Sequence, residues 1–169
     1  MRSRFLPEGR LLHTPENEAA CASRDGLRRA MEEETVLEGV AQLCDGAHNL
    51  LVSVGPFTGF LPREEAALGI AEGTTREIAI LSRVGKPVCF QITALEESEG
   101  VLRPRLSRRR AQQAALDAML AGLHPGCILP AVVTHLESFG AFVDIGCGVP
   151  SLIPIDQISV SRIAHPRDR

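Results

Sequence analysis

The sequence predicts an all-β protein with helical additions, in which two successive runs of short strands, each suited to a small barrel, are joined by one α-helix. Three observations carry this reading. Short segments, several alternating apolar and polar, follow one another from Val36 to Ser107, separated by turn-forming residues. "AQQAALDAMLAGL" (Ala111 to Leu123) then replaces the strand pattern with a helical one. A second strand run after it repeats part of the first.

Residues 1–35 read as a peripheral helical leader. Thr14 can cap a helix whose first position is Pro15, and Ser23 can cap another running through "RDGLRRAMEEE". Glu32 to Glu34 at the end of that second helix oppose its dipole, so it should fray there.

Residues 36–110 hold five candidate strands: "VLEGVAQL", "NLLVSVG", "TGFLPREE", "PVCFQITAL" and "GVLRPRLS". Val88, Phe90 and Ile92 alternate with Cys89, Gln91 and Thr93, as in a half-buried strand. Five short strands in about 75 residues fit a closed barrel better than a βαβ unit.

A linker helix follows over residues 111–124. Leu116, Met119, Leu120 and Leu123 recur at helical spacing and are its expected buried stripe, with "HPG" as the stop. Strands resume over residues 125–169 with "CILPAVVTHL", "GAFVDIG" and "SLIPI". "LLVSVGPFTGFLPREE" lies over "AFVDIGCGVPSLIPIDQ" with one inserted residue. Val52, Val54, Gly55 and Pro62 then match Val143, Ile145, Gly146 and Pro154.

Aromatic residues are scarce: the chain has six Phe, no Trp and no Tyr, yet "SFGAFVDIG" holds two of those rings. Alternation places Ala141, Val143 and Ile145 on one face of its strand, and Phe142 on the other beside an ionised Asp144. An outward ring could stack on an unpaired base; alternatively, both rings tuck under a loop or the preceding helix. Periodicity leaves that choice open.

"PGCILPAVVTHLESFGAFVDIGCGVPSLIPIDQISVSRIAHPRD" resembles the S1 RNA-binding domain, an OB-fold family, through "FGAFVDIG", the third-strand segment and "RI-HP". The resemblance implies tandem five-stranded OB-fold barrels, the first degenerate and the second incomplete, as in small bacterial members of the family. It also implies that Phe139 and Phe142 lie on an RNA-binding face. Pro154 stands where the family often carries His, and Ser151 where Gly is usual. Only three strands are legible before Arg169, so the chain reads as a C-terminally truncated fragment. In the first copy His48 and Leu51 occupy the positions of the two rings, and Arg103 falls near the family's RNA-contacting Arg.

The chain carries a net charge of −3, but seventeen of its eighteen cationic residues are Arg, and "RPRLSRRR" clusters five of them. Arginine suits phosphate contact and base stacking, while a solvated surface is the plainer account. The candidate RNA-binding set is Phe139, Phe142, His135, Arg162, His165, Arg167, Arg103, Arg105 and Arg108. The expected partner is single-stranded RNA, messenger RNA foremost, in translation at the small ribosomal subunit. The alternative is an OB-fold protein-interaction scaffold with little RNA affinity.

No phosphate-cradle, dinucleotide or nucleophile-elbow motif occurs, and the five His are scattered, so no catalytic activity, cofactor, metal or small-molecule substrate is expected. "DIGCGVP" reads as a turn that could expose Cys147. Five widely spaced Cys without CxxC read as reduced thiols. With no apolar run near the ~20 residues a membrane span needs and no secretory signal expected, this points to a cytoplasmic protein without a membrane partner.

Overall fold

The computed structural model describes residues 5–169. Two short helices open it, α1 (Pro15–Cys21) and α2 (Arg24–Glu32). Thr14 Oγ1 accepts from Asn17 N at 3.3 Å and Ser23 Oγ from Gly26 N at 3.1 Å, so both caps form as the sequence implies. The second helix stops at Glu32, short of Glu33 and Glu34. The leader is not peripheral: Cys21, Leu27 and Ala30 are buried with the barrel core. Its apolar positions cover the hydrophobic interior that the barrel strands leave open.

Five strands follow: β1 (Leu37–Cys44), β2 (Leu50–Val54), β3 (Phe57–Leu61), β4 (Pro87–Ser98) and β5 (Val101–Ser107), with a short helix α3 (Ile78–Leu81) between β3 and β4. They close in the order β1-β2-β3-β5-β4. All neighbours are antiparallel except β3 and β5, which pair in parallel at Phe60 and Arg105. Bulges between Ala41 and Leu43 and between Ile92 and Ala94 interrupt the two strands that meet at closure, where local bending helps a small barrel to curl. Inward alternation delivers Leu50, Val52, Val54, Leu61, Val88, Phe90 and Leu106 to the core. This arrangement is consistent with an OB-fold.

Helix α4 (Arg108–Gly122) begins immediately after β5, capped by Ser107. Its buried positions are Arg108, Ala111, Gln112, Ala115 and Met119, whereas Leu120 is 75% exposed and Leu123 is also exposed. The expected stripe is therefore split: Met119 is buried and Leu116 packs beside it, while Leu120 and Leu123 face away. Alanines at 111 and 115 let the helix lie close against β4, and the bulkier Leu120 and Leu123 fall on the far side.

The remaining strands, β6 (Val132–Glu137), β7 (Gly140–Asp144) and β8 (Pro150–Pro154), form a separate three-stranded antiparallel sheet. The sequence repeat has a structural counterpart. In both copies a strand pair ends at a proline that begins a 3-10 turn, Pro62 before Arg63–Glu65 and Pro154 before Ile155–Gln157.

The β7–β8 turn corrects two expectations. Cys147 is buried in a small apolar cluster with Cys89, Ala111, Ala115, Met119 and Val149. Asp144 does not stand in solvent beside Phe142; it is buried as well. Its Oδ1 accepts from Gly146 N and Gly148 N at 2.8 and 3.0 Å, and Oδ2 accepts from Glu8 N at 2.8 Å. Burial pushes this carboxyl above its ordinary value, opposed by those backbone donors.

Candidate nucleic-acid interface

Alternation along β7 buries Ala141 and Val143 on one face and turns the half-buried Phe142 to the other. Cross-strand neighbours complete a row: His135 on β6 and Leu152 on β8 both stand opposite Phe142. The register shift between Val133 and His135 makes this possible, because regular pairing from Val133–Val143 would set Thr134 against Phe142. Thr134 instead donates its hydroxyl to the Phe142 carbonyl at 3.3 Å. The His135 and Phe142 ring centroids are 6.2 Å apart with planes 30° from each other.

Phe139 sits in the β6–β7 turn, 53% exposed. Its ring meets Phe142 edge-on, with centroids 6.0 Å apart and an 86° interplanar angle. This is a favourable arrangement for two rings. Its backbone carbonyl is held by Ile155 N at 2.9 Å. The intervening Gly140 is required by packing: a Cβ there would overlap the Ile153 carbonyl oxygen on β8. Thus the motif's glycine lets two strands approach, and its two phenylalanines stay on the open side.

The other expected residues divide into three groups. His135 Nε2 lies 2.6 Å from Glu137 Oε1 at an exposed position. Arg162 and Arg167 are exposed, and His165 caps the 3-10 turn Pro166–Asp168, its Nδ1 accepting from Arg167 N at 3.1 Å. That turn lies beside β6, on the sheet that carries the rings. Arg103 and Arg105 lie on β5 of the barrel and not on this sheet, Arg103 exposed and Arg105 half-buried. The Arg105 guanidinium stands 5.5 Å from the Phe60 ring centroid and 3.4 Å from Glu96 Oε1.

Arg108 is placed differently from expectation. Its side chain is 7% exposed, and Nε and Nη2 reach the Glu8 carboxylate at 2.9 and 2.5 Å while Nη1 donates to Ala66 O at 3.1 Å. It is committed to the interior and is not available to a ligand. The reason is its position at the start of α4, on the face that packs inward with Ala111 and Ala115.

Phe60 was missed as a candidate. Gly59 and Leu61 point inward, so the alternation that identifies Phe142 also turns Phe60 outward. It lies opposite Leu51, while His48 pairs its Nδ1 with Glu77 Oε2 at 2.5 Å. Among the described residues, no group of three or more His, Cys, Asp or Glu is arranged to hold a metal ion, and no helix is long and apolar enough to cross a membrane.

Comparison with known proteins agrees with the sequence resemblance. Residues 123–169 match the S1 RNA binding domain family. Small ribosomal subunit protein bS1 of Mycobacterium tuberculosis is 28% identical over 166 residues, 95% of this chain and 32% of that protein. The bS1 of Leuconostoc lactis is 31% identical over 134 residues, 79% of this chain and 29% of its own length. That of Neisseria meningitidis is 26% identical over 148 residues, 84% and 24%. The chain therefore spans between 24% and 36% of the first bS1 relatives it matches. Among solved structures, the solution structure of GSP13 from Bacillus subtilis has a TM-score of 0.34 and 19% identity over 57% of this chain and 64% of that one. The chain thus resembles small ribosomal subunit protein bS1 along most of its length, and its residues 123–169 match the S1 RNA binding domain family.

Proposed function

We propose that this protein binds single-stranded RNA on the outer face of the β6–β8 sheet. The observation that carries the reading is the Phe139–Phe142 pair, one ring exposed and one half-buried on an open sheet face, in a chain with only six Phe. A base stacking on such a ring gains about 1–3 kcal/mol, tolerant of sequence because every base has a π-face. His135 extends the row, and Arg162, Arg167 and the His165 turn supply phosphate contacts beside it. Arg103 and Arg105 offer a second set on the barrel, where the Phe60 ring adds a surface.

The match to the S1 family and the likeness to bS1 favour a role in translation with messenger RNA at the small ribosomal subunit, and hence a cytoplasmic place. On this reading residues 36–110 form a degenerate OB-type barrel that supports the second unit or docks on a protein. Residues 125–169 are part of a second barrel of the same kind. The second reading, an interaction scaffold with little RNA affinity, is favoured by the net charge of −3 and by Glu137 and Glu96, which pair with His135 and Arg105. Fluorescence anisotropy with a labelled single-stranded RNA at two salt concentrations separates them. RNA binding predicts an affinity that falls as salt rises; absence of binding at low salt favours the scaffold.

A further inference from the structure

The junction between the barrel and the β6–β8 sheet is polar and buried, and residues 6–9 run through it. The Glu8 side chain is 4% exposed. Its carboxylate accepts from Arg108 on α4 and, at 2.8 Å, from Cys89 N on β4, with Arg83 Nη2 3.6 Å away. Its backbone N–H donates to Asp144 on β7, and Leu6 O accepts from Cys147 N at 2.9 Å. Three parts of the fold, β4, α4 and the β7–β8 turn, are therefore fastened through one short segment of the leader.

The apolar contact at the same junction centres on the small side chains of Ala111, Ala115 and Cys147, with the larger Met119, Phe5 and Leu116 packed around them. Apolar contact is non-directional, whereas the hydrogen-bonded charges of the lock fix a direction. Gly148 shows how tight that lock is. Its φ is +73°, and a Cβ would overlap Glu8 Oε1 and Arg108 Nη2. Asp144 also lies two residues after Phe142, on the same side of β7 by alternation, so the lock closes one end of the face that carries the rings.

We infer that residues 6–9 are a strap fixing the β6–β8 sheet to the barrel, and that the buried Glu8 and Asp144 are positioning residues for the Phe139–Phe142 platform. This inference rests on the RNA-binding reading of that platform, but its first test needs no RNA. In the full chain, backbone amide relaxation compares the tumbling of β6–β8 with that of the barrel, for the wild type, Glu8→Gln and Asp144→Asn. One tumbling time is expected for the wild type and two for each variant. RNA affinity should fall about fivefold to tenfold, the low end of coupling between sites. Its salt dependence should stay unchanged, because no phosphate contact is removed.

A general loss of stability would not separate the two tumbling times. If Glu8→Gln fails to fold, the double variant Glu8→Leu/Arg108→Met, which removes both buried charges, is read in the same way. A single tumbling time in the folded variants overturns the strap, and unchanged affinity once the sheet tumbles separately overturns the positioning role of Glu8 and Asp144. A wild-type chain that tumbles as one body and binds no RNA contradicts the RNA reading instead, and the variants' tumbling alone then decides the strap.

Discussion

Glu8 and Arg108, 100 residues apart in sequence, form a buried ion pair with Nη2 and Oε1 2.5 Å apart. Burial alone would raise the Glu8 carboxyl, but the Arg108 guanidinium, backed by Arg83 and the Cys89 N–H, outweighs it and holds the group below its ordinary value. Removing one partner leaves the other charge uncompensated in the interior. Arg108→Ala should therefore cost about 3–5 kcal/mol in urea unfolding. Arg110→Ala, an exposed neighbour, should change stability by less than about 0.5 kcal/mol. Equal effects at the two positions would contradict the assignment of Arg108 to the interior.

Glu38 sets the pH dependence. Its side chain is 2% exposed, Oε2 accepts from Gly9 N and Leu11 N, and Oε1 has no partner. Burial, with Glu8 nearby, pushes its pKa up to about 7 against those donors. A folded-state value above the unfolded one means that the folded protein binds the extra proton, so stability from this group is full below about pH 4.5 and is lost as pH rises through 7. Glu38→Gln removes that titration. Between pH 5 and pH 8.5 the variant should gain on the wild type by on the order of 3 kcal/mol in urea unfolding. A constant difference across that range would show that Glu38 does not titrate there.

Gly140→Ala tests the packing behind the ring motif. The added Cβ must push β8 away from β7 at Ile153. Overpacking of this kind costs about 1–3 kcal/mol. A lowered Tm together with faster amide exchange in β8 is the expected result, while an unchanged Tm would mean that the strands have room to spare.

Arg103 faces solvent on β5 without entering the core. If it contacts a phosphate, Arg103→Gln should reduce the slope of log affinity against log salt by about one. An unchanged slope would exclude Arg103 from phosphate contact.

Much of the barrel was legible because its signals are local. The turn residues between strands and the caps Thr14 and Ser23 each act within a few positions, and the structure uses them as read. The alternation of Val88, Phe90 and Ile92 marks the core face of β4, but Cys89 and Gln91 on its other face are buried as well, because α4 packs there. The face of α4 was only partly legible from spacing. The apolar stripe includes Met119 and Leu116, which pack inward, but close approach to β4 centres the contact on Ala111 and Ala115 beside them and leaves Leu120 and Leu123 outside, and nothing local reveals where the neighbour lies. Asp144 and Arg108 were misplaced for the same reason. Their partner, Glu8, lies 136 and 100 positions away, and an acidic residue in an irregular leader carries no sign of burial. Within the candidate site, parity along β7 was enough to turn Phe142 outward. The bulge that brings His135 opposite it has no signature in "AVVTHLE".

The most direct test of RNA binding by this face is Phe142→Ala in the full chain, with affinity for single-stranded RNA measured at two salt concentrations and folding checked by far-ultraviolet circular dichroism. Stacking on Phe142 predicts a loss of about 1–3 kcal/mol in binding, roughly fivefold to 150-fold, with the salt slope preserved. Binding by the folded variant as tight as by the wild type would contradict it.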